Sequence, residues 1–171
     1  MLHSTFLRII FTLLLLGAIS HGLAQEPLTR PAGEVILTIT GAISQTNAPG
    51  KAEFDLAMLK ALGVRERRLT TPWTDGVQAF EGVLMRDVMK AVGATGQEVF
   101  ASALNDYAIT IPLDDFTQYP ILLAFAANGK LLTRRDKGPL WIIYPTNEFS
   151  ELESATYVAR SVWQLDRLDV R

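Results

Sequence analysis

No position in the chain is cysteine, and its two histidines, His3 and His21, both fall within the first 24 residues. Whatever folds after them does so without a disulfide. It also lacks any zinc, haem or iron–sulfur clip held by thiolate or imidazole. Its stability must come from a buried apolar core. The same absence removes Ser-His-Asp and Cys-His nucleophile systems. Carboxylate, amide, hydroxyl, guanidinium, ammonium and aromatic chemistry remain.

Residues 1–24 carry the three parts of a cleavable secretory signal: Arg8 in a short leading region, an apolar run from Ile9 to Ile19, and small residues Gly22 and Ala24 before Gln25. The apolar run is shorter than the roughly 18 residues a membrane span requires. The expectation is therefore a periplasmic mature chain, residues 25–171, forming one domain with no membrane insertion after cleavage. The signal has a single arginine rather than a twin pair, which implies export before folding and ligand capture outside the cytoplasm. Removing the leader leaves 15 basic and 18 acidic residues, a net charge of −3. Such a balance points away from nucleic acid; the short Arg65-Glu66-Arg67-Arg68 run reads as a solvated strand.

Hydrophobic patterning and turn signals divide the mature chain into short elements. Glu34–Thr40 is rich in β-branched residues and reads as a strand, followed by a short one over Lys51–Phe54. Asp55 is placed to cap a helix over Leu56–Leu62, closed by Gly63. Arg65–Thr70 reads as a strand, and Thr71–Gly76 as a loop bearing Trp73. Gln78–Phe80 leads into a second helix over about Leu84–Val92, with apolar residues every fourth position. Strands are expected at Val99–Leu104, Tyr107–Pro112, Pro120–Ala126, Lys130–Thr133 and Trp141–Tyr144, with a hairpin at Asn128-Gly129. Asp114-Asp115 reads as a polar loop and residues 146–157 as irregular. Val158–Val170 reads as a closing strand, with Val162, Leu168 and Val170 inward. The fold class is α+β, mainly β, with two short helices.

Four stretches, in order, resemble the molybdopterin-binding oxidoreductase domain of the sulfite oxidase family. They are Phe80–Val88, Ala103-Leu104-Asn105-Asp106-Tyr107, Leu122–Gly129, and Lys137-Gly138-Pro139-Leu140-Trp141-Ile142-Ile143-Tyr144-Pro145. The resemblance implies a sulfite-oxidase-like fold. In the family's enzymes a cysteine thiolate ligates molybdenum, and this chain has none. Its length, signal type and motifs are similar to the family's short, cysteine-lacking periplasmic members. Those members bind pterins and act as ligand-responsive partners of membrane enzymes that make or degrade cyclic dinucleotides.

A pterin is a flat bicycle with a donor edge, a carbonyl and two π-faces. It asks for a carboxylate, a few polar groups and aromatic walls within an apolar cleft. Asp106, beside Asn105, is the candidate carboxylate, although Asn105-Asp106 is equally the composition of a simple turn. Trp73 and Trp141 are candidates for stacking, and Trp141 also fits a core position. Tyr107 either donates its hydroxyl to the ligand or packs as a strand residue. Arg135 and Lys137, with Arg134 just before them, either meet a pterin substituent or decorate a hairpin end.

The resulting expectation is a periplasmic pterin-binding protein without metal or catalytic residues, which reports ligand occupancy to a membrane signalling partner. The alternatives are a molybdopterin-dependent oxidoreductase of the sulfite oxidase family and a non-catalytic exported adaptor whose pocket has decayed.

Overall fold

The computed structural model describes residues 27–171; the secretory-signal reading of residues 1–24 lies outside them. Ten strands form one curled sheet among the described residues, with a central path β2-β1-β10-β9-β7-β4-β3. In chain order these are β1 (Leu37–Gly41), β2 (Ala52–Phe54), β3 (Arg65–Leu69), β4 (Gln78–Leu84), β5 (Glu98–Ala103), β6 (Ala108–Pro112), β7 (Leu122–Ala127), β8 (Lys130–Leu131), β9 (Leu140–Ile143) and β10 (Trp163–Val170). Four short helices accompany them: α1 (Leu56–Ala61), α2 (Met85–Ala91), α3 (Asp115–Gln118) and α4 (Ala155–Arg160). The mainly β expectation holds, with four helices where two were anticipated. Among the described residues no helix is long and apolar enough to cross a membrane.

The closing strand β10 organises the sheet. It pairs in parallel with β1, from Thr38 opposite Arg167 to Gly41 opposite Val170, and antiparallel with β5 and β9. Trp163 sits opposite Trp141 in the β9 pairing. Strands β7 and β9 are buried on both faces, which is why Leu122–Ala126 and Leu140–Ile143 read as unbroken apolar runs. Alternate side chains then serve two separate clusters. Leu123, Phe125, Leu140 and Ile142 face the main core with α1, α2 and the β1–β10–β5 layer. Leu122, Ala124, Trp141 and Ile143 join Leu69 and Phe80 in a smaller cluster on the other face.

Two sequence expectations fail and a third is incomplete, each for an identifiable reason. The second helix forms where expected, as α2 between Leu84 and Val92, but the segment leading into it is a longer element than anticipated: the whole of Gln78–Leu84 is a strand, paired with both β3 and β7. A register shift between Glu81 and Gly82 breaks its alternation. Gly82 is required there, since a Cβ would lie 2.3 Å from the Leu123 carbonyl oxygen. Val158–Arg160 belong to α4 rather than to the closing strand, which begins at Trp163. Val162, Leu168 and Val170 do face the core. Asp114-Asp115 is not a polar loop: Asp115 opens α3 and is buried, accepting a hydrogen bond from Tyr144 Oη (2.7 Å) and an ion-paired one from Arg160 Nη1 (2.9 Å). Burial, followed by the Asp115 carboxylate, holds the Tyr144 phenol far above its ordinary pKa. Satisfied by partners 29 and 45 residues away, Asp115 carries no local signal of its role.

Candidate ligand-binding site

All three tryptophans of the chain meet at one place. Trp141 comes from β9, where strand alternation turns it into the smaller cluster and leaves it 1% exposed. Phe80 of β4 meets it edge-on, centroids 5.5 Å apart at 84°. Trp73 lies against it at 5.9 Å and 62°, delivered by the Thr71–Gly76 loop. That loop is tied by the Thr71 and Thr74 hydroxyls, 2.9 Å apart, and by the Trp73 N–H donating to Thr71 Oγ1 at 3.2 Å. Trp73 remains 37% exposed. Trp163 enters from β10 opposite Trp141, and Lys137 Nζ stands 5.8 Å from the Trp141 ring centroid. Aromatic edges and a cation over a π-face make this an environment suited to a flat heterocycle.

A cavity of about 250 Å³ opens beside the rings, lined by Trp73, Asn105, Tyr107, Val158, Ala159, Ser161 and Trp163. Its far wall is the C-terminal end of α4. Arg160, next to Ala159, holds that wall through Asp115 and lies 5.2 Å from the Tyr157 ring. Tyr107 ties the wall to the β5–β6 hairpin, because its hydroxyl donates to the Ala159 carbonyl at 2.9 Å.

The candidates named from sequence are distributed unevenly around this cavity. Trp73, Asn105 and Tyr107 line it, and Trp141 packs directly behind Trp73. Lys137 adopts a left-handed conformation (φ 70°) at the end of the Arg134–Asp136 turn, which turns its chain back over Trp141. Arg135 lies exposed in the same turn and is not in the lining. Asp106 occupies the left-handed position of the β5–β6 turn (φ 65°), with its N–H donating to Ala103 O, and its side chain is exposed outside the lining. Asn105 Oδ1 accepts from the Tyr107 N–H at 3.1 Å, the Asx-type contact that Asn-Asp turns favour. Trp163 and the α4 wall escaped the sequence reading. The one available signal was a third tryptophan at the start of the closing strand.

One atom in this site is anomalous. Trp141 Nε1 is buried and has no hydrogen-bond acceptor. Buried N–H groups are nearly always paired, so an unpaired one on a ring packed behind the cavity-lining Trp73 marks a donor that an acceptor can meet once Trp73 moves. The carbonyl or ring nitrogen of a pterin is such an acceptor, and the aromatic walls suit its faces. The metal-binding half of a molybdenum cofactor fits less well. The chain offers no thiolate, and among the described residues no group of three or more His, Cys, Asp or Glu is placed to hold a metal ion.

Comparison with known proteins follows the same lines. A family model described as the oxidoreductase molybdopterin binding domain matches residues 53–155. The crystal structure of the sulfane dehydrogenase SoxCD from Paracoccus pantotrophus superposes with a TM-score of 0.60 at 16% sequence identity. That likeness covers 78% of this chain and 37% of the SoxCD chain, so the protein spans well under half the length of that relative. Curated protein sequences give no match. With the family model covering more than half of the sequence and the superposition agreeing in fold, the chain belongs to the oxidoreductase molybdopterin-binding domain family.

Proposed function

We propose that this protein is an exported pterin-binding protein whose ligand occupancy is reported to a membrane signalling partner. The observation that carries the proposal is the unpaired indole N–H of Trp141, which packs behind the cavity-lining Trp73 and stands opposite the cavity-lining Trp163 in a molybdopterin-family fold. The pterin ring lies between Trp73 and Trp163 and accepts from Trp141 Nε1, with Asn105 and Lys137 as further polar contacts. Because Nε1 has no exposed surface, binding requires a ring to move aside, and the partly exposed Trp73, carried on the Thr71–Gly76 loop, is the one placed to do so. Bound and empty forms then differ in the Thr71–Gly76 loop, and a partner with unequal affinity for the two forms reads occupancy. The secretory signal and the missing thiolate support a role in binding outside the cytoplasm.

The family model favours a second reading, a molybdopterin-dependent oxidoreductase, and the structurally similar SoxCD is a sulfane dehydrogenase. One set of measurements separates the two. Calorimetric titration with oxidised and tetrahydro pterins, read in parallel by tryptophan fluorescence, is expected to show saturable binding. Absence of both signals in the wild type sinks the proposal. Near-stoichiometric molybdenum in protein purified from its native host moves the conclusion to the oxidoreductase.

A further inference from the structure

A second cavity, of about 320 Å³, lies where the segment leading into β1 faces the Leu132–Arg134 stretch and β10. Glu34, Arg134 and Asp166 line it, with Leu104, Leu132 and Pro139 as apolar walls. Two carboxylates and one guanidinium thus share a small space, yet they do not pair with one another. None of the ion pairs among the described residues includes Glu34 or Arg134. Asp166 has only Arg167 Nε, 3.6 Å from Oδ2, which is beyond hydrogen-bonding range. Its other oxygen, Oδ1, is buried with no donor at all. The Asp166 side chain keeps 27% of its surface exposed, so Oδ1 is the under-satisfied oxygen and Oδ2 is the one an incoming donor can reach. Its terminal torsion is soft and roughly two-fold, so a donor arriving at Oδ2 stabilises the whole group.

Gln164 stands in the chain between Trp163 of the tryptophan site and Asp166 of this cavity. Its Nε2 donates to the Arg134 carbonyl (2.6 Å), its N–H donates to Lys137 O (2.9 Å), and its own carbonyl accepts from the Leu104 N–H (2.9 Å). These bonds tie the backbone of β10 to Leu104 and to the Arg134–Lys137 turn, while the Arg134 and Asp166 side chains stay out of them.

We propose that this cavity is a binding site for a small zwitterion of the α-amino-acid type, its ammonium held by Asp166 and Glu34 and its carboxylate by Arg134. A lone cation would leave Arg134 facing it with like charge. A lone anion would meet two carboxylates. Only a ligand carrying both signs a few bonds apart satisfies all three groups, and the apolar walls take its side chain.

Thermal-shift and calorimetric titrations with glycine and L-leucine, against isoamylamine and N-acetyl-leucine, test the assignment. L-leucine is expected to bind and to raise the melting temperature, and the amine and the acetylated acid to bind at least about tenfold more weakly, the size expected for losing one charge-assisted contact. Asp166→Asn is expected to lose a similar factor for L-leucine while retaining pterin binding at the tryptophan site, so this proposal and the pterin reading fail separately. No binding of either amino acid, or equal L-leucine binding by Asp166→Asn and wild type, overturns it.

Discussion

Leu123 and Ala124 are consecutive residues of β7 whose side chains enter opposite faces of the sheet, and the two faces are finished differently. Leu123 enters a core that extends from β1 to β10 and is closed by α1 and α2. The buried polar groups along that face are answered. Asp55 accepts from the N–H groups of Ala32, Gly33 and Met58, each at 2.8 Å, and Asp115 holds Tyr144 and Arg160. Ala124 enters a cluster of six residues, with Trp73 half-exposed against it and Trp141 Nε1 unanswered. A face that satisfies its polar atoms internally serves stability. A face that leaves a buried donor open is the one to which the proposed ligand is assigned.

Substitutions on the two faces should therefore separate stability from binding. The largest loss of stability is expected at Leu123→Ala, about 2–5 kcal/mol by urea unfolding, because no neighbour in a fully buried layer can collapse into the space. Pterin affinity of the fraction that remains folded should be unchanged. Asp115→Ala comes next, at about 3 kcal/mol, since it strands a partly buried guanidinium and the Tyr144 hydroxyl. Asp115→Ala should also loosen α4, weakening pterin binding more than Leu123→Ala does.

On the tryptophan face the order reverses. Trp73→Ala is expected to cost less than about 1 kcal/mol of stability, because the ring is partly exposed, while lowering pterin affinity by about tenfold or more. Trp141→Phe sharpens the comparison further. It keeps most of the buried aromatic surface and deletes the unpaired N–H, so stability should change by less than about 1 kcal/mol while pterin affinity falls. A Trp141→Phe protein that binds pterin normally would assign Trp141 to the core alone.

The smallest effect is on pH dependence. Hydrogen bonds from the Met58, Gly33 and Ala32 N–H groups hold the Asp55 carboxyl below its usual range, and Arg171 and Thr40 do the same for Asp169. Each is depressed in the folded state, so its stabilisation is present above the unfolded carboxylate pKa of about 4 and is lost as pH falls through the folded value. Asp55→Asn should flatten the acid limb of the stability curve below about pH 4. An unchanged limb would show that these contacts do not couple to folding.

Much of the main core was legible because its signals are local. Asp55 before Leu56, the four-residue repeat of Leu84, Val88 and Val92, and Asn128-Gly129 between apolar runs each act within a few residues. The smaller face was less legible. Asn105 and Tyr107, nameable through their motif, and Trp73, nameable from its loop, do line one cavity, whereas Asp106 follows the turn chemistry of its neighbours and lies outside it. Trp163 and the α4 wall were hidden, because Val158–Arg160 is apolar enough to read as strand until Arg160 finds Asp115.

From the sequence alone came the chemical limits: no thiolate anywhere and no imidazole after His21, a mainly β fold, and the short motifs that carry the family. Composition and short-range patterning are properties of the chain before it folds. Tertiary structure decided which of two faces each apolar residue serves, and that an indole N–H and a carboxylate oxygen are left unpaired. Those facts depend on contacts between residues far apart in sequence, such as Trp73 with Trp141 and Arg160 with Asp115, and no local pattern encodes them.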